Sequence, residues 1–343
     1  MLFRPHGLTP QRQSMKTART STMKCKRKKP KNSIARKPAL TSKIINALRK
    51  EKQSKVVNLD EVRRAKDYSQ ELDDIISKMK KLDNLDPLHA YYTYAQNNMS
   101  ILVEQLCELS ALQKLNNICV DAYEEYSPQG PPISPLTKSY FSCWSLFDLN
   151  VGIHKESLGY IVTEVCKELK MDTWLISAFE IMTSSRMGLY IHEGNSGRYA
   201  FMRELVTGKS IQAIVPSGHQ GKPDEIWLAR ILPPTLTDFG IDYSLVFTTP
   251  YVIGTMMVRR IDLRGDIQGW NDYFDRTLNI IKADNPVKAY EQLMKYGLNR
   301  HYWNEYIFEG YFSHNKESVV LAGFPDIPLS RPHSRETQEL ADG

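Results

Sequence analysis

The chain has 343 residues, 41% of them apolar and 10% aromatic, with 45 basic against 39 acidic side chains. That composition can build a core and excludes wholesale disorder or a fibrous repeat, and the length allows about two domains. No stretch approaches the roughly 20 apolar residues of a membrane helix and the first 55 lack the apolar run of a secretory signal, so a soluble, cytoplasmic protein without membrane contact is expected.

The net charge of +6 conceals a segregation. Residues 1–55 hold 17 basic groups and one acid, Glu51, while the other 288 hold 28 basic and 38 acidic groups. Residues 1–42 are rich in Lys, Arg, Ser, Thr and Pro and have no apolar periodicity, which predicts a disordered basic tail. Its densest run places Lys24, Lys26, Arg27, Lys28, Lys29 and Lys31 within eight positions. Such a run is drawn to polyanions by counterion release. A DNA- or RNA-tethering tail, a nuclear address and a solubilising extension all fit it. A mitochondrial presequence fits less well, because the Lys-Pro clusters break the amphipathic helix it needs. Met15 and Met23 are alternative starts to Met1, and the last keeps the cluster.

Residues 43–126 read as a helical arm. Ile44, Ile45 and Leu48 share one face, and a second stretch opens with Asp60 and Glu61 and closes with Lys78, Lys80 and Lys81, in accord with the helix dipole. Asp86-Pro87 then starts a long amphipathic helix, residues 87–126, with apolar residues spaced by three and four from Leu88 to Leu115. Two readings of that helix stand: an arm for a coiled coil, homo-oligomer or partner protein, and packing onto the chain's own second domain. Residues 127–139 contain the Pro-rich run Ser127 to Pro135, which neither helix nor central strand tolerates, and mark a linker.

An α+β domain is expected over 140–325. It opens with the aromatic run Tyr140 to Leu149 and two helices near 155–170 and 172–185, the second capped by Asp172. The period then changes to two. Residues 188–192, 198–205, 210–215 and 225–232 alternate as four short strands, separated by turns at Gly194-Asn195-Ser196-Gly197, Thr207-Gly208 and Ser217 to Asp224. With a further strand at 243–249, they predict an antiparallel β-meander or half-barrel over 186–250. Helices follow at 266–283, 285–296 and 299–312, and the last residues, 326–343, form a second flexible tail. The fold class is α+β.

Within the meander, Arg203-Glu204-Leu205-Val206-Thr207-Gly208 followed by Ile226-Trp227-Leu228-Ala229-Arg230 resembles the β-module of uncharacterised bacterial proteins that often carry a SEC-C zinc motif. The likeness covers about 45 residues, 186–232. It implies a bacterial, cytosolic β-module of unknown activity. The Cys and His ligands of the zinc motif are absent here, so the resemblance implies no zinc and names no catalytic residue.

No motif fixes a reaction. The five cysteines, Cys25, Cys107, Cys119, Cys143 and Cys166, contain no C-x-x-C pair and read as free thiols in a reducing compartment. Gly218-His219-Gln220-Gly221-Lys222 invites a phosphate-loop reading, but Pro216 and Pro223 stand where that motif wants Gly and Ser or Thr. Cys143, beside Trp144 in an apparent aromatic strand, reads as packing rather than as a nucleophile. Tyr199, Phe201 and Arg203 share one strand face, an aromatic platform for bases, although the burial habit of aromatics favours the sheet's core there. Arg300-His301-Tyr302-Trp303 is a second aromatic-basic set.

The leading expectation is a non-enzymatic binding or regulatory protein tethered to nucleic acid by its basic tail, with no cofactor or metal. One alternative is a hydrolase-like enzyme with a site between the meander and the C-terminal helices, drawing on His192, Glu193, Asp224 and His301. The other is a structural subunit of a larger assembly.

Overall fold

In a computed structural model, the described residues are 39–53, 85–107 and 137–323 apart from 152–153, 155, 258–259 and 297–307, with isolated positions between 113 and 124. The described residues form one compact unit. The basic cluster at 24–31, the second arm stretch around Asp60, most of the 127–139 linker, the set at 300–303 and the 326–343 tail lie outside the described residues.

Helix α1 spans Leu40–Gln53, so the last residues of the expected tail are helical. The reason is a distant carboxylate: Glu156, itself buried, accepts the backbone N–H groups of Leu40 (2.8 Å) and Thr41 (3.1 Å) and the Thr41 hydroxyl. These amides are orphans of the first turn, and an anion there satisfies both the hydrogen bonds and the dipole. Helix α2, Pro87–Cys107, begins where Asp86 accepts from the Leu88 amide at 2.9 Å. Its apolar stripe of Leu88, Tyr92, Ala95 and Met99 is fully buried against the next helices. Over these residues the helix therefore packs on its own chain, and its stripe is spent there. The arm and the α+β body share one core.

The aromatic run 140–149 is helical, not extended. Thr137 caps α3, Lys138–Cys143, which passes into a π-helical turn at Trp144–Asp148 closed by the Leu149 N–H on the Trp144 carbonyl at 2.8 Å. Cys143 is thus a buried helical thiol, pushed up to about 12 by burial first of all. The strands β1 (Asn150–Val151) and β2 (Glu156–Ser157) pair as a small hairpin leading into α4, Leu158–Leu169, with Ser157 as its cap. Helix α5 covers Thr173–Ser184; Asp172 holds the cap position, but its side chain makes no capping bond.

Among the described residues, nine strands follow in one sheet. They are β3 (Met187–Ser196), β4 (Tyr199–Glu204), β5 (Ser210–Ile214), β6 (Ile226–Leu232), β7 (Ser244–Val246), β8 (Tyr251–Met257) and β9 (Arg260–Asp262). After α6 (Ile267–Ile281) and α7 (Pro286–Tyr296) come β10 (Phe308–His314) and β11 (Val319–Gly323). Strand β7 pairs with both β5 and β6, so β6-β3-β4-β5-β7 closes into a five-stranded barrel. All its pairings are antiparallel except β5 with β7. Long β3 makes the closure possible: its first half pairs with β6, its second with β4, and a bulge between His192 and Gly194 bends it. The expected half-barrel is a closed one.

Strand β6 is buried on both faces. Trp227 and Ala229 point into the barrel with Tyr190, Ala200, Met202, Ala213 and Val246; Ile226 and Leu228 point outward, into the core under α6 and α7. Beyond the barrel, β8 pairs with β6 and β11 runs parallel to β8, with β10 at the edge. A helix was expected to reach residue 312, but Phe308–His314 is a strand. Its partner Val319–Gly323 is held in the sheet by β8, and that non-local pairing overrides the helical spacing of the aromatic residues. Among the described residues, no helix is long and apolar enough to cross a membrane.

Candidate functional site

The barrel decides which side of β4 is free. Ala200 and Met202 turn inward to join Tyr190, Ala213, Trp227 and Ala229, so Tyr199, Phe201 and Arg203 turn outward. That outer face is core at one end, where Tyr199 packs beside buried Tyr243 at 5.2 Å, and open at Phe201. Phe201 is 38% exposed, a large ring left in solvent. Gln212 lies opposite it on β5 and is exposed, and Ser210 lies opposite Arg203 with exposed Lys209 beside it.

The two arginines of this face are held differently. The Arg198 guanidinium lies over the rings of Tyr199 (5.1 Å) and Tyr243 (4.8 Å). One of its nitrogens is 3.0 Å from Asp86, which also accepts the Tyr243 hydroxyl at 2.6 Å. A flat, half-exposed cation is thereby fixed in place, with Tyr199 and Tyr243 as its seat. Arg203 donates from Nε to Glu193 at 2.8 Å, an exposed pair.

Three of the four residues of the enzymatic alternative are described. His192 and Glu193 point to opposite faces of β3: His192 is fully buried, Glu193 is exposed. Asp224 is exposed and in a left-handed turn (φ 69), joined to His192 only through its backbone N–H on the His192 carbonyl at 2.9 Å. His301 lies outside the described residues. The His192 ring stacks on Trp227 at 4.6 Å, and one ring nitrogen is 3.2 Å from Asn195. Among the described residues, no group of three His, Cys, Asp or Glu side chains is placed to hold a metal ion.

The Gly218–Lys222 loop plugs this end of the barrel by packing on Trp227 through His219 and Gly221. His219 packs on Trp227 (5.0 Å), and Glu225 accepts the Trp227 indole N–H at 3.0 Å and lies 3.5 Å from His219. Gly221 closes against the same indole: its φ is +62, and a Cβ there would stand 2.3 Å from Trp227 Cζ2. Gly197 has a matching φ of +59 with nothing within 4 Å. Gly221→Ala is therefore expected to cost about 1–3 kcal/mol more than Gly197→Ala in urea unfolding, the overpacking share alone. Equal costs would mean that the plug yields freely.

Glu204 and Gly208, within the segment that carries the resemblance, hold the structure together. The Glu204 carboxylate accepts from Arg186 (2.7 Å), Thr207 (2.5 Å) and the Tyr290 hydroxyl (2.9 Å), which ties the barrel to α7; Gly208 supplies the turn at φ +71. Burial pushes Glu204 up, but the bonds and charge of Arg186, with Thr207 and Tyr290, overcome it and hold the carboxyl below its ordinary range. A depressed folded-state value makes its contribution complete above the unfolded value of about 4.3 and lost as pH falls through the folded one. Glu204→Gln should thus lower the urea midpoint clearly at pH 7 and much less at pH 3. A gap that persists undiminished in acid would contradict the ion pair.

A second buried centre joins residues far apart in sequence. Asp148, at the end of the π-helical turn, pairs with Arg230 of β6 and accepts from Lys295 of α7 at 3.0 Å. Lys295 also donates to the carbonyls of Thr183 (2.7 Å) and Ser185 (2.6 Å), and Arg230 donates to the Ser185 hydroxyl at 2.7 Å. Arg230 is 0% exposed. Burial draws the Lys295 ammonium below its ordinary range, against the pull of Asp148.

Comparison with known proteins adds no relative: no family model matches the chain, and no curated protein or solved structure does either.

Proposed function

We propose that this chain is a non-enzymatic nucleic-acid-binding or regulatory protein, attracted to its polyanion by the basic N-terminal segment. One observation carries the reading: 17 basic groups against one acid over residues 1–55, ahead of a body with 28 against 38. A body of that sign repels a polyanion as a whole, so attraction has to be local. The barrel is compatible with the reading, since five-stranded Greek-key barrels serve oligonucleotide binding among many other functions. The polar clusters of the folded unit point the same way: Glu204, Arg230, Asp148 and Glu156 are all occupied in bonds that hold elements together.

The test is binding of mixed-sequence DNA and RNA to the full chain across a salt series, repeated with Lys24, Lys26, Arg27, Lys28, Lys29 and Lys31 changed to Gln. Salt-sensitive binding that collapses in the variant supports the reading; no binding by the full chain at low salt ends it.

A further inference from the structure

We infer that the outer face of β4 and β5 is a stacking surface for single-stranded nucleic acid, with Phe201 and the Arg198 guanidinium as its two platforms. This rests on the nucleic-acid reading and adds to it a site in the folded unit and a strand class. Three features of the face lead there.

First, Phe201 offers part of an aromatic ring to solvent on this face: it is 38% exposed, while its strand neighbours Ala200 and Met202 turn into the barrel. Second, Arg198 is pre-organised. Two tyrosine rings at 5.1 and 4.8 Å and Asp86 at 3.0 Å hold the planar guanidinium while its side chain stays 55% exposed. Bases stack on such planes as they do on aromatic rings, and little rotamer entropy is left to lose. Third, polar groups that can meet a backbone or a base edge surround the ring: Gln212 opposite, with Arg203 and Lys209 at one end. Asp86 and Glu193 each take part of the charge of an arginine here, so phosphate attraction at this face is modest and the tail has to supply most of it.

Stacking selects the ligand. In a duplex each base face is covered by its neighbours, whereas a single strand can splay its bases onto aromatic and guanidinium planes, and stacking accepts any base.

The experiment uses the full chain and fluorescein-labelled oligothymidylate of about 12 nucleotides, within the range of single-strand site sizes, beside a duplex of the same length, read by anisotropy. Phe201→Ala is expected to weaken single-strand binding by roughly 5- to 150-fold, the range of one lost base–aromatic stack, without changing the salt slope. Phe201→Tyr should restore it, and duplex binding should not move. Because Phe201 is at the surface, an unchanged melting temperature of Phe201→Ala serves as the folding control. If Phe201→Ala binds the single strand as the parent does while the six-fold tail variant loses binding, the inference falls and the tail reading stands. If Phe201→Ala weakens duplex and single strand alike, the inference falls as well. If the full chain binds neither nucleic acid, both fall, and a protein partner for this face becomes the alternative.

Discussion

Asp148→Ala is expected to destabilise the folded unit by about 3–5 kcal/mol in urea unfolding at pH 7, the largest loss for a single side chain here. The carboxylate faces two cations, Arg230 and Lys295, the first fully buried and the second 13% exposed. Removing it leaves both charges in a low-dielectric interior with no counter-ion. Lys295 keeps the carbonyls of Thr183 and Ser185 and Arg230 keeps the Ser185 hydroxyl, which satisfies hydrogen bonds but not charge. Removing the whole triad by Asp148→Leu with Arg230→Met and Lys295→Met should recover much of the loss, because a buried ion cluster often gives little net stability over a well-packed apolar one. A loss under about 1 kcal/mol for Asp148→Ala would show that water reaches the site and that the pairing is no more than a surface bridge.

That triad also shows where reading the sequence stops. Asp148, Arg230 and Lys295 come from a π-helical turn, a barrel strand and a C-terminal helix, and no local pattern links them. Arg230 was visible as the end of a motif, but what a motif residue contacts is decided by the fold. The meander was legible for the opposite reason. Strands β3 to β6 are short runs rich in apolar and aromatic residues between Gly-rich turns, so each strand and each reversal leaves a local mark. Closure left none: β7 is three residues long and pairs with β5 in parallel, a contact set by geometry rather than by pattern. Strand β10 was lost because aromatic residues spaced by three and four look helical when the neighbour that holds them, β11, follows a turn and is itself ordered by β8.

The face of β4 needed one further fact. Alternation placed Tyr199, Phe201 and Arg203 together, and burial preference alone put them inside. Which side of a strand is inside is set by how the barrel closes, and on β4 the residues that join Tyr190, Ala213, Trp227 and Ala229 in its interior are Ala200 and Met202. The arm was a similar case. Its stripe of Leu88, Tyr92, Ala95 and Met99 suits a coiled coil or a domain surface equally well, and only the presence of α4 and α5 against it decides.

Changing the six clustered cations of the basic segment to Gln is expected to reduce the salt dependence of single-strand binding by about 4 in the slope of log K against log salt, at about 0.7 per neutralised phosphate. For the parent chain, that share of the slope means an affinity loss of a few hundred-fold between 50 and 200 mM salt; for the variant, it is absent. Substitution is preferable to truncation at residue 42. Such a cut would also remove Leu40 and Thr41, whose amides Glu156 accepts, and leave that carboxylate buried without partners, so lost binding could not be told from lost fold. The substituted chain keeps α1 and its contact. An unchanged slope in the variant, with binding intact, would move the electrostatic attraction to the folded unit, where Arg198, Arg203 and Lys209 flank Phe201. A slope reduced by about 4 with residual, salt-insensitive affinity for single strands alone would separate the two contributions: charge from the tail, stacking from the barrel.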